Sequence, residues 1–280
     1  MTYKMLVSDL DETLLNNDGT INPLNVEAIK AAVAQGFKFV PNTGRSFLSV
    51  QDLLKTLGLA DQADQYVISY NGGVIVENQG NRILDVSGMS LPLAEQIFQA
   101  GLVNDAVDVH IYTVDRLFVY NPSAADEEYM AARGVNYEVM ADRNLSFLKD
   151  EAAITKVIFE HLDAKVQAQI KAAVLKAVGA NQVEATFSSS RYVEFNPAGV
   201  DKGRATLTLG AKLGIKPEEI MAIGDNSNDL SMIKAAGLGI SVANGIPAVK
   251  EAAQVVTART NNQGAVAEVL ERYVLKGEEA

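Results

Sequence analysis

Four short stretches of the chain combine residue types that can do chemistry. Asp9-Leu10-Asp11 follows an apolar run at 3–8. In extended backbone residues i and i+2 point to the same side, so both carboxylates converge at the end of a strand. Alone, this pair reads equally well as solvated acids on a loop. A second acidic stretch, Gly224 to Asp229 (GDNSND), also closes an apolar run. Asp225, Ser227 and Asp229 match alternate ligands of a calcium loop, but Leu230 stands where that loop requires glycine and Ala236 where it requires glutamate. Helix capping by Asp225 or Asn228 explains one acid and leaves the recurrence at two strand ends unexplained.

The other two stretches offer cations and amides. Thr43-Gly44-Arg45 puts a hydroxyl and a glycine amide at a strand end, good geometry for phosphate oxygens, although a helix cap at Ser46 with Thr43 as a turn residue accounts for it as well. In Gly199-Val200-Asp201-Lys202-Gly203 a lysine faces the positive end of a helix dipole, a conflict that a nearby anion would resolve. A solvated lysine would tolerate the position at a cost of about 0.3–1 kcal/mol. No GxxxxGK[ST] loop and no GxGxxG fingerprint follows the first strand, which excludes P-loop and dinucleotide binding.

The elements that must position these residues alternate. Residues 3–8 predict a buried strand, and Asn22 with Pro23 starts a helix that Gly36 stops. A second strand at 37–41 leads into a helix running from Ser46 toward Gly58. Near the other end, strands are predicted at 220–224, 239–242 and 255–256, alternating with helices. Such alternation argues for a doubly wound, mainly parallel α/β sheet, Rossmann-like, with ligands at the strands' carboxyl edge. Between the two ends, Asn71-Gly72-Gly73 and Asn78-Gln79-Gly80-Asn81 are hairpin turn signals. From 84 to 190, helical stretches (92–100, 163–178) alternate with extended ones (109–113, 117–120, 156–159, 183–187), read as an inserted α+β domain. The expected organisation is a core of 1–83 and 191–280 with an insert of 84–190. Residues 277–280 read as a loose tail.

Composition sets limits. With 280 residues, 48% hydrophobic and 21% charged, the chain can bury a sizeable core as a soluble globular protein. Lys and Arg total 24 against 35 Asp and Glu, a net charge of −11 that opposes binding to nucleic acid or to anionic membranes. Zero cysteines exclude disulfides, thiol nucleophiles and thiolate zinc sites, and the two histidines, His110 and His161, are far apart in sequence. Asp9 and Asp11 interrupt the place where a secretory signal needs its apolar stretch, and no apolar run approaches the ~20 residues of a membrane span. A cytoplasmic location is expected.

In this order the four stretches fit a known family. DLDETLL, NTGR, GVDKG and GDNSND, with the following NDLSMIKAAGLGISVANG, resemble the four motifs of the haloacid dehalogenase-like phosphatases. The resemblance includes the Cof-type sugar-phosphatase branch, whose type IIB cap is inserted between the second and third motifs, and residues 244–271 resemble that branch's C-terminal signature. Glu12 departs from the branch's usual glycine, Asn42 from a small residue, and Ser241-Val242 from Ala-Met. The resemblance implies a phosphatase in which Asp9 attacks phosphorus and Asp11 serves as acid and base. Magnesium would be held by the Asp9 carboxylate, the Asp11 carbonyl and Asp225, and Asp229 would orient Lys202 or metal-bound water. Thr43, Gly44, Arg45, Lys202 and Asn228 would bind the phosphate.

The implied substrate is a small phosphorylated metabolite, foremost a sugar phosphate, and the implied assembly a monomer or homodimer. The cap would close over the site and contact the alcohol. Its His110, Tyr112 and Arg116 also have simpler roles as core histidine, strand packing and turn cation. A phosphosugar mutase would reuse Asp9 but retain its product, and a catalytically silent sugar-phosphate sensor would keep the same residues. A phosphoryl-accepting receiver module is far shorter and has no use for an acid-base residue two positions after the nucleophile.

Overall fold

The computed structural model describes residues 3–151 and 153–276; the tail expected at 277–280 lies outside the described residues. The chain opens with β1 (Met5–Ser8), α1 (Pro23–Ala34), β2 (Lys38–Pro41), α2 (Gln51–Leu57), β3 (Tyr66–Ser69), β4 (Val74–Glu77) and β5 (Arg82–Val86). Next come α3 (Leu91–Gly101), β6 (Asp108–Thr113), β7 (Leu117–Tyr120), α4 (Ala124–Ala131), β8 (Glu138–Val139), β9 (Ile154–Glu160), α5 (Ala164–Val178), β10 (Val183–Ser188) and β11 (Tyr192–Pro197). It closes with α6 (Lys202–Lys212), β12 (Ile220–Gly224), α7 (Leu230–Ala235), β13 (Leu238–Ser241), α8 (Pro247–Ala252), β14 (Val255–Val256) and α9 (Ala265–Leu270). Two compact units result, divided after Asp85 and after Val200. Among the described residues no helix is long and apolar enough to cross a membrane.

The first unit holds a parallel sheet in the order β14-β13-β12-β1-β2. All four residues of β1 are buried, as a strand covered on both faces requires. From β1 the chain runs to β2 on one side and returns as β12 on the other. The strand order therefore reverses at β1, and the crevice beyond its carboxyl end is the switch point at which open α/β sheets bind ligands. Asp9, Asn42 and Asp225 each directly follow one of these strands. A smaller sheet, β3-β4-β5, adjoins β2 through a parallel bridge between Asn42 and Ile68.

Local signals fix the helices beside the crevice. The Asn22 side chain accepts from Leu24 N, with Pro23 in the first turn of α1. Ser46 caps a short 3₁₀ turn that leads into α2, which Gly58 ends at φ 73°. The Asp201 side chain caps α6, accepting from Gly203 N and Arg204 N at 2.8 and 2.9 Å, so Lys202 is the first helical residue.

The second unit is a six-stranded sheet ordered β10-β11-β9-β6-β7-β8. One face packs α3 and α5 through Phe98, Val109, Ile111, Phe159, Ile170, Val193 and Phe195. This unit ends ten residues beyond the 190 expected from sequence. The cause is β11, which pairs antiparallel with β10 and β9 and binds residues 192–197 into the insert's sheet. Also unanticipated are β8, two exposed residues, and α4, capped by Ser123 but turning inward only Asp126 and Met130, too narrow a buried face for an apolar period.

Helices α6 and α7 approach so closely that a Cβ added at Gly203 would lie 2.4 Å from the backbone oxygen of Ser231. Gly203→Ala should therefore lower stability by about 1–3 kcal/mol and displace Lys202. Urea unfolding checks this, and an unchanged midpoint would show that the two helices are free to separate.

Candidate active site

Lys202 is the centre of the site. Its side chain is completely buried and its Nζ lies between Asp9 Oδ1, at 2.5 Å, and Asp229 Oδ1, at 2.7 Å. These two carboxylates supply the anion that the lysine's place at a helix N-terminus calls for. Burial works to lower the Lys202 pKa, but Asp229 and Asp9 outweigh it and hold the ammonium above its ordinary value. Asp229 is fully engaged, since its other oxygen accepts the backbone N–H groups of Asp225 and Asn226 at 3.0 Å each. Asp9 Oδ2 accepts no hydrogen bond from the described residues, and Asp9 keeps 7% exposure. That oxygen is left free of hydrogen bonds, as a nucleophile or a metal ligand requires.

Asp225 completes an acidic triad in which ligand oxygens of Asp9, Asp225 and Asp229 lie within 4.8 Å of one another, all buried. Burial pushes the Asp225 carboxyl up to about 6; a Thr13 hydrogen bond at 2.7 Å opposes this, while Asp229 and Glu12 add to it. Burial likewise drives Asp9 well above the usual carboxylate range, against the pull of Lys202. Three carboxylates facing one ammonium leave a charge surplus of −2, which one dication would neutralise. The donors are all oxygen, the set that a hard cation such as magnesium takes.

The remaining expected residues sit around this centre with partners of their own. Thr43 is buried, its hydroxyl accepting from Arg45 N at 3.1 Å. Arg45 grips the Asp11 carboxylate through Nε (3.0 Å) and Nη2, holding Asp11 at an exposed position. Gly44 packs against Asn71, so a Cβ there would meet the Asn71 amide at 3.2 Å. Asn228 Nδ2 donates to Asn71 Oδ1 at 3.2 Å. The resemblance's cap residues have local roles: His110 is buried, and Arg116 is paired with Glu138 and Glu151.

Thr13 and Asn71, to which the sequence assigned no role in the site, belong to it. Thr13 bonds Asp225 across 212 residues of chain. Asn71, at φ 55°, lies between Gly44 and Asn228, and its N–H donates to Thr43 O at 2.9 Å. The adjacent Gly72 has φ 101°, and a Cβ there would sit 2.3 Å from Asp201 O, so this turn is wedged against the start of α6. Asn42, one of the departures, donates from Nδ2 to Lys202 O at 3.1 Å and Thr206 Oγ1 at 3.3 Å, tying the end of β2 to α6. The Asn-Gly-Gly turn was the available signal for Asn71, since such a turn supports positive φ.

Residues 6–270 match the family described as haloacid dehalogenase-like hydrolase. The chain belongs to that family. YxeH of Bacillus subtilis is 30% identical over 98% of this chain and 99% of its own length. The 5-amino-6-(5-phospho-D-ribitylamino)uracil phosphatase YcsE of the same organism is 27% identical over 97% and 96%. Among solved structures, BT4131, a sugar phosphatase of haloacid dehalogenase subclass IIB, shares the fold with a TM-score of 0.78 at 21% identity, covering 96% of this chain and 98% of that one. The haloacid dehalogenase-like fold is thus a parallel α/β core carrying an inserted α+β unit, in the Cof-type branch. Its activity class is phosphoric monoester hydrolysis.

Lys202→Met removes the ammonium from between two buried carboxylates and should cost about 3–5 kcal/mol near neutral pH. The pKa of Asp9 in the folded protein lies above its unfolded value of about 4, so ionised Asp9 costs stability above that pH and nothing below it. The gap between variant and wild type should therefore narrow as pH falls from 8 toward 4. Urea unfolding across that range checks it, and a gap independent of pH would mean that only packing was lost.

Proposed function

We propose that the protein is a magnesium-dependent phosphatase of small phosphorylated metabolites, sugar phosphates foremost, working through an aspartyl-phosphate intermediate. The observation that carries this is Asp9, a buried carboxylate at the switch point with one oxygen held by Lys202 and the other free of hydrogen bonds. YcsE acts on a phosphorylated ribityl compound, which is in the proposed size class.

Asp9 Oδ2 attacks phosphorus as the ester oxygen leaves, and Asp11 gives that oxygen its proton. Asp11 then takes a proton from the water that attacks the acyl phosphate, releasing inorganic phosphate and restoring Asp9. The Arg45 ion pair favours ionised Asp11, so Asp11 leaves Arg45 when it carries the proton. Thr43, the Gly44 amide and Lys202 neutralise the phosphoryl oxygens, with Asn228 as a further donor. Asp9, the Asp11 carbonyl and Asp225 would hold magnesium, with Asp229 behind them fixing Lys202. Bound there, the cation cancels the repulsion between an anionic nucleophile and an anionic ester. The inserted unit, expected at 84–190, selects the alcohol part of the substrate.

Asp9→Asn is nearly isosteric and should reduce phosphate release roughly 10³-fold or more with the fold intact. Asp225→Asn should weaken magnesium affinity and turnover together, because an amide is a poorer ligand for a hard dication. The covalent step is tested with a phosphate ester made chiral by oxygen isotopes. Two displacements give net retention at phosphorus, whereas inversion would leave Asp9 only as a metal ligand. Release of free phosphate also separates hydrolysis from a mutase, which keeps its product bound.

A further inference from the structure

A second buried cluster lies wholly within the inserted unit. Asp108 and His110 stand two residues apart on β6 and so share a face of the sheet; Asp126 comes to them from α4. All three are at most 1% exposed, and one ligand atom from each lies within 4.8 Å of the others. His110 Nε2 is 2.8 Å from Asp126 Oδ2 and 3.3 Å from Asp108 Oδ1.

Hydrogen bonding does not satisfy these atoms. Neither contact of Nε2 has hydrogen-bond alignment, so Nε2, Asp108 Oδ1 and Asp126 Oδ2 are buried without a hydrogen-bond partner. The outer oxygens are well anchored: Ser123 N donates to Asp108 Oδ2 at 3.0 Å, and Tyr192 Oη and Arg191 Nη1 donate to Asp126 Oδ1. Each carboxylate is thus held by one oxygen while the other is turned toward the imidazole. Glu160, paired with Asp108 across β9 and β6, adds a third buried carboxyl with an oxygen lacking a partner. Against these three acids stands the Arg191 guanidinium, leaving a deficit of two positive charges if the imidazole is neutral.

We infer that Asp108, His110 and Asp126 form a site for one divalent transition-metal ion of the zinc class. Bonds of about 2.0–2.2 Å from such an ion to nitrogen and oxygen place neighbouring ligand atoms about 3–3.5 Å apart, and His110 Nε2 lies 2.8 and 3.3 Å from the two carboxylate oxygens. The imidazole favours zinc-like ions over magnesium or calcium, which take oxygen. One dication supplies the two missing charges. Because its ligands come from β6 and α4, the ion clips α4 to a sheet on which its own apolar face is small. The competing occupant is a proton: the two aspartates outweigh burial and push the His110 pKa up to about 9.

Zinc itself is the probe, used on full-length protein stripped of metal. In Asp9→Asn/Asp225→Asn, which disables the acidic triad of the first unit, equilibrium dialysis should find one equivalent of zinc. Adding His110→Gln should abolish it, with circular dichroism verifying the fold. A second measurement needs no change at the cluster. The chain has two histidines, so His161→Gln, added to the same double variant, leaves His110 as the only ring in a ¹⁵N spectrum. One equivalent of zinc should shift its Nε2 resonance and slow amide exchange in α4. No zinc retained by the double variant, or zinc bound with the His110 ring unmoved, would overturn the site and leave a proton as its occupant.

Discussion

The ion pairs of Lys202 with Asp9 and Asp229 are the constraint on which the rest of the first unit depends. An ammonium with no exposure is stable only beside anions, and anions buried this deeply are stable only beside a cation. The interaction joins the end of β1, the start of α6 and the turn after β12, three segments far apart in sequence. Glycines permit the approach: Gly203 lets α6 reach α7, and Gly72 lets a turn press on Asp201. Asn42 secures the same helix start from the end of β2. Packing and electrostatics thus meet at a single nitrogen.

The charge around that nitrogen is deliberately unbalanced. Pairing satisfies Asp229 completely and Asp9 by half, and among the described residues the Asp225 carboxylate accepts a side-chain hydrogen bond only from the Thr13 hydroxyl. Glu12 adds to the imbalance while standing at φ 59°, in the backbone region where the family resemblance has glycine. That conformation costs a side-chain-bearing residue about 1–2 kcal/mol, and the Asn244 amide holds the segment there by donating to Glu12 O at 2.8 Å. The strained acid raises the negative potential at Asp225 and thereby the site's preference for cations.

Much of this was legible in the sequence. Asp9 and Asp225 were recognisable because an apolar run that stops at an acid marks the end of a buried parallel strand. Lys202 was recognisable because it opposes a helix dipole. What escaped notice depends on contacts that no local pattern encodes. Thr13 matters through a partner 212 residues away, and Asn71 through a turn that reads simply as a hairpin. Arg45 could be read as a phosphate ligand but not as the residue that grips Asp11. In the insert, β11 went unrecognised because its inward positions on one face are Tyr192, Glu194 and Asn196, so burial there is polar and the usual alternation is blurred.

The strand order also has a consequence in time. β1 lies between β2 and β12, yet β12 is synthesised roughly 200 residues after β1, and translation at about 5–20 residues per second separates them by about 10–40 s. Through that interval one edge of an apolar strand has no neighbour, whereas the strands of the six-stranded sheet, β6 to β11, are all made before β12. The nascent chain therefore carries an unfinished sheet, exposed to the aggregation that open strand edges invite. Because Lys202 and Asp225 arrive with the same late segment, the chemistry cannot begin before that edge is closed.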